Sequence, residues 1–182
     1  MACDNMIFGK CFEEIWYRPA PGGADQIHTN NRQKGKAKTM YRILLVDDEI
    51  LVRDAIKENI DWKSMDCELV GDCENGKQAA DFVKTHPVDI VLTDILMPYM
   101  DGMELSHFLH DNYPEIAIVI FSGFGEFEYA EKAIQYNVSE YMLKPVTAME
   151  LREVIGKMKE KVDQQRKEKE KLESLTKTSQ DY

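Results

Sequence analysis

The sequence lacks most of what would place it on nucleic acid, in a membrane or around zinc. Its 33 Asp and Glu outnumber its 23 Lys and Arg, for a net charge of -10. A phosphate-binding surface needs clustered cations, so no nucleic-acid contact is expected on this chain. Only four cysteines occur, Cys3, Cys11, Cys67 and Cys73, with no C-x-x-C pair and no histidine cluster to complete a zinc site. Cys67 and Cys73 flank a strand-like segment and read as reduced packing residues. His107 and His110 can share a helix face, yet two lone histidines on such a face read as solvated. Ile116 to Phe121 is among the longest apolar runs and falls far short of a bilayer span. Met1 to Cys11 has neither the basic region nor the apolar stretch of a secretory signal. A cytoplasmic protein with no membrane contact is expected.

What the chain does have is alternation. Residues 1–39 show no sustained periodicity and combine Pro19-Ala20-Pro21-Gly22-Gly23 with a polar, basic run, the composition of a mobile leader. From Tyr41 a short apolar strand, Arg42 to Val46, ends in Asp47-Asp48-Glu49, and a helix follows with Val52, Ile56 and Ile60 on one face. Cys67 to Cys73 reads as a second strand. Asn75-Gly76 opens a helix with Ala79, Phe82 and Val83 inward, which Pro87 stops. The run from Val88 to Leu96, closed by Met97-Pro98, is apolar and rich in β-branched residues, as in a strand buried on both faces. Asp101 is placed to cap a helix carrying Leu105, Phe108 and Leu109. Ile116 to Phe121 forms a fourth strand, and Phe127, Ala130 and Ile134 line a further helix that stops at Asn137. Glu140 to Leu143 forms the last strand, ahead of Lys144-Pro145 and a long helix starting near Thr147.

Five strands alternating with five helices predict an α/β fold, a parallel sheet covered on both faces. Right-handed crossovers bring every strand's carboxyl end to one edge, where open α/β sheets bind ligands. Asp47, Asp48, Asp94, Ser122 and Lys144 then gather from four strands. Each has a plainer use: the acids can cap helices or complement their dipoles, Ser122-Gly123 can simply open a loop, and Lys144 can be a solvated strand end. Their conjunction on one edge is the informative feature.

Three converging carboxylates repel one another by about 4 kcal/mol per pair at 4 Å and an effective dielectric near 20. Either one of them holds a proton or a hard cation sits among them. Mg²⁺ suits such a set, since it favours a few carboxylates together with water and phosphate oxygens. With a phosphoryl group added, Asp94 can attack as a carboxylate nucleophile. Asp48 and Asp94 hold the metal, with Asp47 directly or through water, Lys144 provides a point charge, and Ser122 provides a hydroxyl donor.

Leu-Val-Asp47-Asp48-Glu49, Asp94 followed by Met97-Pro98-Tyr99-Met100-Asp101-Gly102, Ser122-Gly123 and Tyr141-Met142-Leu143-Lys144-Pro145 resemble the receiver domain of two-component response regulators. The resemblance covers about Tyr41 to Met158. It implies a flavodoxin-like, doubly wound sheet of order 2-1-3-4-5. It also implies that Asp94 accepts phosphate from a sensor histidine kinase. Asp47, Asp48, Asp94 and the backbone carbonyl of Leu96 would hold Mg²⁺, while Lys144 and Ser122 bind the phosphoryl group. Ser122 and Tyr141 would form the switch, with Tyr141 turning inward as Ser122 is drawn toward the phosphoryl group. Such a protein is a phosphoacceptor that assists its own phosphotransfer and slow dephosphorylation rather than a turnover enzyme, and it relays its state to a transcriptional or other output.

The implied division is a leader at 1–39, a receiver at 40–158 and a charged helical linker at 159–182, fraying at its end. Leu151, Ile155, Met158, Val162, Gln165, Lys169 and Leu172 follow a 4-3 spacing. That spacing suits a solvated extension of the last receiver helix or a marginal coiled coil; a homodimer would use this helix or the last receiver helices. Gly125-Glu126-Phe127-Glu128-Tyr129-Ala130 and the charged tail resemble receivers fused to AraC-type helix-turn-helix regulators, so the expectation is either a truncated regulator or a receiver that works alone through protein contacts. Two rival readings are a partner-binding pseudo-receiver and a Mg²⁺-dependent phosphohydrolase with an Asp nucleophile. The haloacid dehalogenase pattern for the latter needs a second Asp two residues after the first, where this chain has Leu96. In receivers, the positions two after the phosphorylated Asp and two after the Ser flank the path of attacking water. Here they are Leu96 and Phe124, both bulky and apolar. Slow self-dephosphorylation is therefore predicted; decay of the purified phosphoprotein in Mg²⁺ within seconds would contradict it.

Overall fold

Apolar runs flanked by turn residues account for the architecture of the computed structural model, which describes residues 40–123 and 138–178. Five strands, β1 (Tyr41–Val46), β2 (Cys67–Cys73), β3 (Ile90–Asp94), β4 (Ala117–Ser122) and β5 (Glu140–Leu143), form one sheet. Its order is β2-β1-β3-β4-β5 and every pairing is parallel, the doubly wound arrangement that the resemblance to receiver domains implied. The described helices are α1 (Ile50–Asn59), α2 (Gly76–Thr85), α3 (Gly102–Asn112) and α4 (Ala148–Thr178). The helix expected on Phe127, Ala130 and Ile134, with its stop at Asn137, lies outside the described residues, as do Phe124 and the leader.

Burial follows position in the sheet. The inner strands β3 and β4 are buried at every residue, whereas the edge strands β2 and β5 are only partly covered. Helix starts are fixed by side chains. Asn75 accepts from the Gln78 amide at 3.0 Å. Asp101 and Glu104 form a reciprocal capping box at 2.7 and 3.0 Å. Thr147 and Glu150 exchange the same kind of bonds at 3.2 and 2.8 Å ahead of α4.

Helix α4 buries Leu151, Val154, Ile155, Met158 and Val162 against the domain. Polar contacts continue beyond them. Lys159 donates to the Met65 carbonyl at 2.7 Å. Gln165 donates to the Pro114 carbonyl at 3.3 Å, and Arg166 pairs with Asp89 at 2.7 Å. Asp89, buried at the start of β3, also takes a two-pronged bond from Arg42 at 2.8 and 3.0 Å. Its carboxyl is held below the usual range: burial opposes ionisation, but the Arg42 bonds and the Arg166 charge outweigh it. The Tyr41 ring lies beneath Lys159 and Arg166, and burial together with a bond to Asp163 pushes its phenol up to about 12.

Two glycines divide by what surrounds them. A β-carbon on Gly102 would run into the Asp94 carbonyl oxygen, a backbone atom with no room to yield. Gly156 faces open space in the middle of α4. Gly156→Ala should therefore stabilise by about 0.5–1 kcal/mol through helix propensity. Gly102→Ala should cost on the order of 1–3 kcal/mol by overpacking. Urea unfolding midpoints for the two variants test both signs.

Candidate functional site

The sheet register explains how residues distant in sequence become neighbours. Val46 pairs with Thr93, Thr93 with Ile120 and Ile120 with Tyr141, making one row across four strands. One residue further on, the row contains Asp94 opposite Phe121, with Asp47 at the end of β1. Ser122 and Leu143 pair in the row above, and Lys144 follows, its amide donating to the Ser122 carbonyl at 2.6 Å.

Each predicted residue has a defined place. Ligand oxygens of Asp47, Asp48 and Asp94 lie within 4.8 Å of one another. The Lys144 ammonium bridges two of these acids, 2.9 Å from Asp47 Oδ2 and 3.0 Å from Asp94 Oδ1. Asp47 is fully buried and has every polar atom engaged. Its Oδ1 accepts from the Glu49 amide at 2.9 Å and its amide donates to the Cys73 carbonyl at 3.1 Å. Arg53 donates to its carbonyl at 2.6 Å. Asp48 is exposed, and among the described residues its carboxylate accepts no hydrogen bond. The Asp94 carbonyl accepts from Thr93 Oγ1 at 2.9 Å. Leu96 is half exposed at the start of the following loop. Tyr141 donates to Ser122 Oγ at 2.6 Å, while the Ser122 hydroxyl, fully buried, contacts the Gly123 carbonyl at 3.3 Å.

Sequence reading missed Arg53 and Thr93. Arg53 is buried on α1 beside the inward residues Val52 and Ile56, a flank where a long cation can turn under the helix. Cys67 and Cys73 are free, buried thiols that burial pushes up to about 11, which suits packing residues. Asp47, Asp48 and Asp94 are the sole cluster of three or more metal-capable side chains among the described residues.

The electrostatics follow from crowding. Burial pushes the Asp94 carboxyl up to about 6; Lys144 pulls it down and the Asp47 charge pushes it up again. Burial alone would lower the Lys144 ammonium, but Asp47 and Asp94 together raise it, so it stays charged. An all-oxygen set of two buried acids, one of them proton-prone, and one exposed acid fits a hard divalent cation such as Mg²⁺, whose remaining ligands would be water or phosphoryl oxygens. Because the folded value for Asp94 lies above its ordinary 3.8, the native state binds the extra proton. Stability then falls as pH rises from about 4 to 6 and levels off above. In chelator, the stability of Asp94→Asn relative to the unaltered chain should rise across this window by on the order of 1–3 kcal/mol. Urea titrations at a series of pH values measure this; a difference independent of pH would contradict it.

The description of the response regulator receiver domain matches residues 43–156. The transcriptional regulatory protein YesN of Bacillus subtilis (strain 168) is 40% identical over 124 residues, covering 66% of this chain and 34% of that protein. The transcriptional regulatory protein HptR of Staphylococcus aureus (strain NCTC 8325 / PS 47) is 30% identical over 120 residues, covering 65% and 46%. The chain thus spans between a third and a half of these curated relatives. Among solved structures, the REC domain of AraT, a response regulator from Geobacillus stearothermophilus, aligns with a TM-score of 0.65 and 37% identity. That alignment covers 70% of this chain and 98% of that one. A two-component transcriptional regulator AraC from Clostridium phytofermentans ISDg aligns with a TM-score of 0.65 and 33% identity, covering 69% and 98%. With the matched segment taking in most of the chain and the parallel sheet carrying its acids and lysine on one edge, this protein belongs to the response regulator receiver domains of two-component systems.

Proposed function

We propose that this chain is a phosphorylation-dependent signalling switch in which Asp94 accepts a phosphoryl group from a sensor histidine kinase. The observation that carries the reading is the bridge of Lys144 between Asp47 and Asp94, beside Asp48. In the transfer, an Asp94 carboxylate oxygen bonds to phosphorus as the P–N bond of the phosphohistidine breaks, and the imidazole keeps that electron pair. Asp47, Asp48, Asp94 and the Leu96 carbonyl would hold Mg²⁺, which supplies charge neutralisation for the phosphoryl oxygens. Lys144 gives up part of its contact with Asp94 to pair with the incoming group. The leucine at position 96 speaks against the phosphohydrolase reading, which needs an acid there.

Ser122 and Tyr141 are the proposed switch. Their hydroxyls are already bonded to each other in this structure, so drawing Ser122 to a phosphoryl oxygen would break that bond and change the setting of the Tyr141 ring. A shift of a two-state equilibrium from 1:99 to 99:1 needs about 5.5 kcal/mol of differential interaction. Hydrogen bonds to charged groups contribute roughly 1.5–3 kcal/mol each. Bonds from Lys144, Ser122 and one loop amide to the phosphoryl group are enough. The output would be transcriptional by likeness to the named regulatory proteins, in the cytoplasm as is typical of response regulators. If the last helices also mediate a homodimer, α4 would contribute Leu172 and Leu175, which are exposed.

Incubation with Mg²⁺ and acetyl phosphate should add one phosphoryl group by intact mass, and Asp94→Asn should abolish the adduct. Sizing with beryllofluoride reads the association state. An adduct that persists in Asp94→Asn, or steady turnover of general phosphate esters, would overturn the proposal.

A further inference from the structure

Asp48 poses a positional problem that the site residues do not solve. A metal-binding carboxylate is normally oriented by hydrogen bonds from its surroundings. Asp48 has none among the described residues, and it is exposed. Its direction is therefore inherited from the backbone that delivers it. The peptide entering Asp47 is fixed by β2 through the bond from the Asp47 amide to the Cys73 carbonyl. The peptide joining Asp47 to Asp48 is fixed from the other side, by Arg53.

We infer that Arg53 is a positioning residue that sets the Asp47–Asp48 peptide, and with it the Mg²⁺ affinity of the site. Its guanidinium is buried under α1. Nη1 donates to the Asp47 carbonyl at 2.6 Å while Nε donates to Asp72 Oδ2 at 2.9 Å, near the carboxyl end of β2. Glu74 lies 3.9 Å from Nη2, and Lys57 reaches the same Asp72 oxygen at 3.4 Å. One planar fork thus ties α1 and β2 to the peptide between the two acids. A lysine is a single point charge on a flexible stem and cannot reproduce both bonds.

Charge and geometry make opposite predictions here. A cation close to a metal site repels the metal, so electrostatics alone would have Mg²⁺ bind tighter once Arg53 is weakened. Positioning has it bind more weakly. Arg53→Lys keeps the charge and loses the fork, which isolates geometry.

This inference rests on the receiver reading and its Mg²⁺ site. The test is calorimetric titration of the full chain with MgCl₂, below each variant's unfolding temperature, for the unaltered protein, Asp48→Asn, Arg53→Lys and Asp72→Asn. Arg53→Lys should weaken Mg²⁺ by roughly 10–100-fold, the usual effect of losing a partner that orients a ligand. Asp72→Asn, at a partly exposed position, should weaken it by a smaller factor. A residue that serves stability alone would lower the unfolding temperature and leave the Kd unchanged. Unchanged Mg²⁺ affinity in Arg53→Lys overturns the inference, as does a gain. If Arg53→Lys fails to fold, unchanged affinity in Asp72→Asn overturns it. Absence of Mg²⁺ binding by the unaltered protein, or no loss in Asp48→Asn, removes the underlying Mg²⁺ site instead.

Discussion

A single ammonium group stands against three carboxylates at the carboxyl edge of the sheet. Lys144 reaches Asp47 and Asp94 together, and Asp48 completes a group of acids closer than 5 Å. One positive charge cannot neutralise three negative ones when two of them, Asp47 and Asp94, are buried. Burial first, and the Asp47 charge after it, keep the Asp94 carboxyl raised against the pull of Lys144, a strain that a proton or a divalent cation can relieve. The same imbalance makes a doubly charged ion and a phosphoryl group complementary guests. Strand order, register and the fixed starts of the helices all serve to hold this crowding in place.

Much of that arrangement was legible because it is local. Strands announced themselves by apolar runs, and β2 and β5 have the bounds expected from their turn residues. Asp101 caps its helix as expected; the Glu104 half of the box adds a partner on the same turn. The convergence of Asp47, Asp94, Ser122 and Lys144 followed from parallel topology alone, since parallel strands must end on one edge. The bond between Tyr141 and Ser122 depends on the rotamers of two side chains, which no spacing rule fixes.

What escaped the sequence is a set of charges buried by distant partners. Asp89 interrupts an apolar run and Arg53 sits in an amphipathic helix; in isolation each resembles a solvated residue. Their burial depends on Arg42 and Arg166 for the first, and on Asp47 and Asp72 for the second. The 4-3 spacing of the tail was equally ambiguous, because a helix lying on its own domain and a helix lying on a twin show the same stripe. Leu151, Ile155, Met158 and Val162 are covered by their own domain, so that part of the stripe is already spent.

The clamp of Arg42 and Arg166 on Asp89 lies where β1 and β3 begin, at the opposite end of the sheet from Asp94. It turns the far half of α4 from a tether into a spoke. Past Arg166 the helix runs on to Thr178, about 18 Å at 1.5 Å per residue, with its heading set by the domain. Adding or removing one residue in that stretch would swing whatever it carries by about 100° around the axis. The phase of the spoke, as well as its length, is therefore written into the chain.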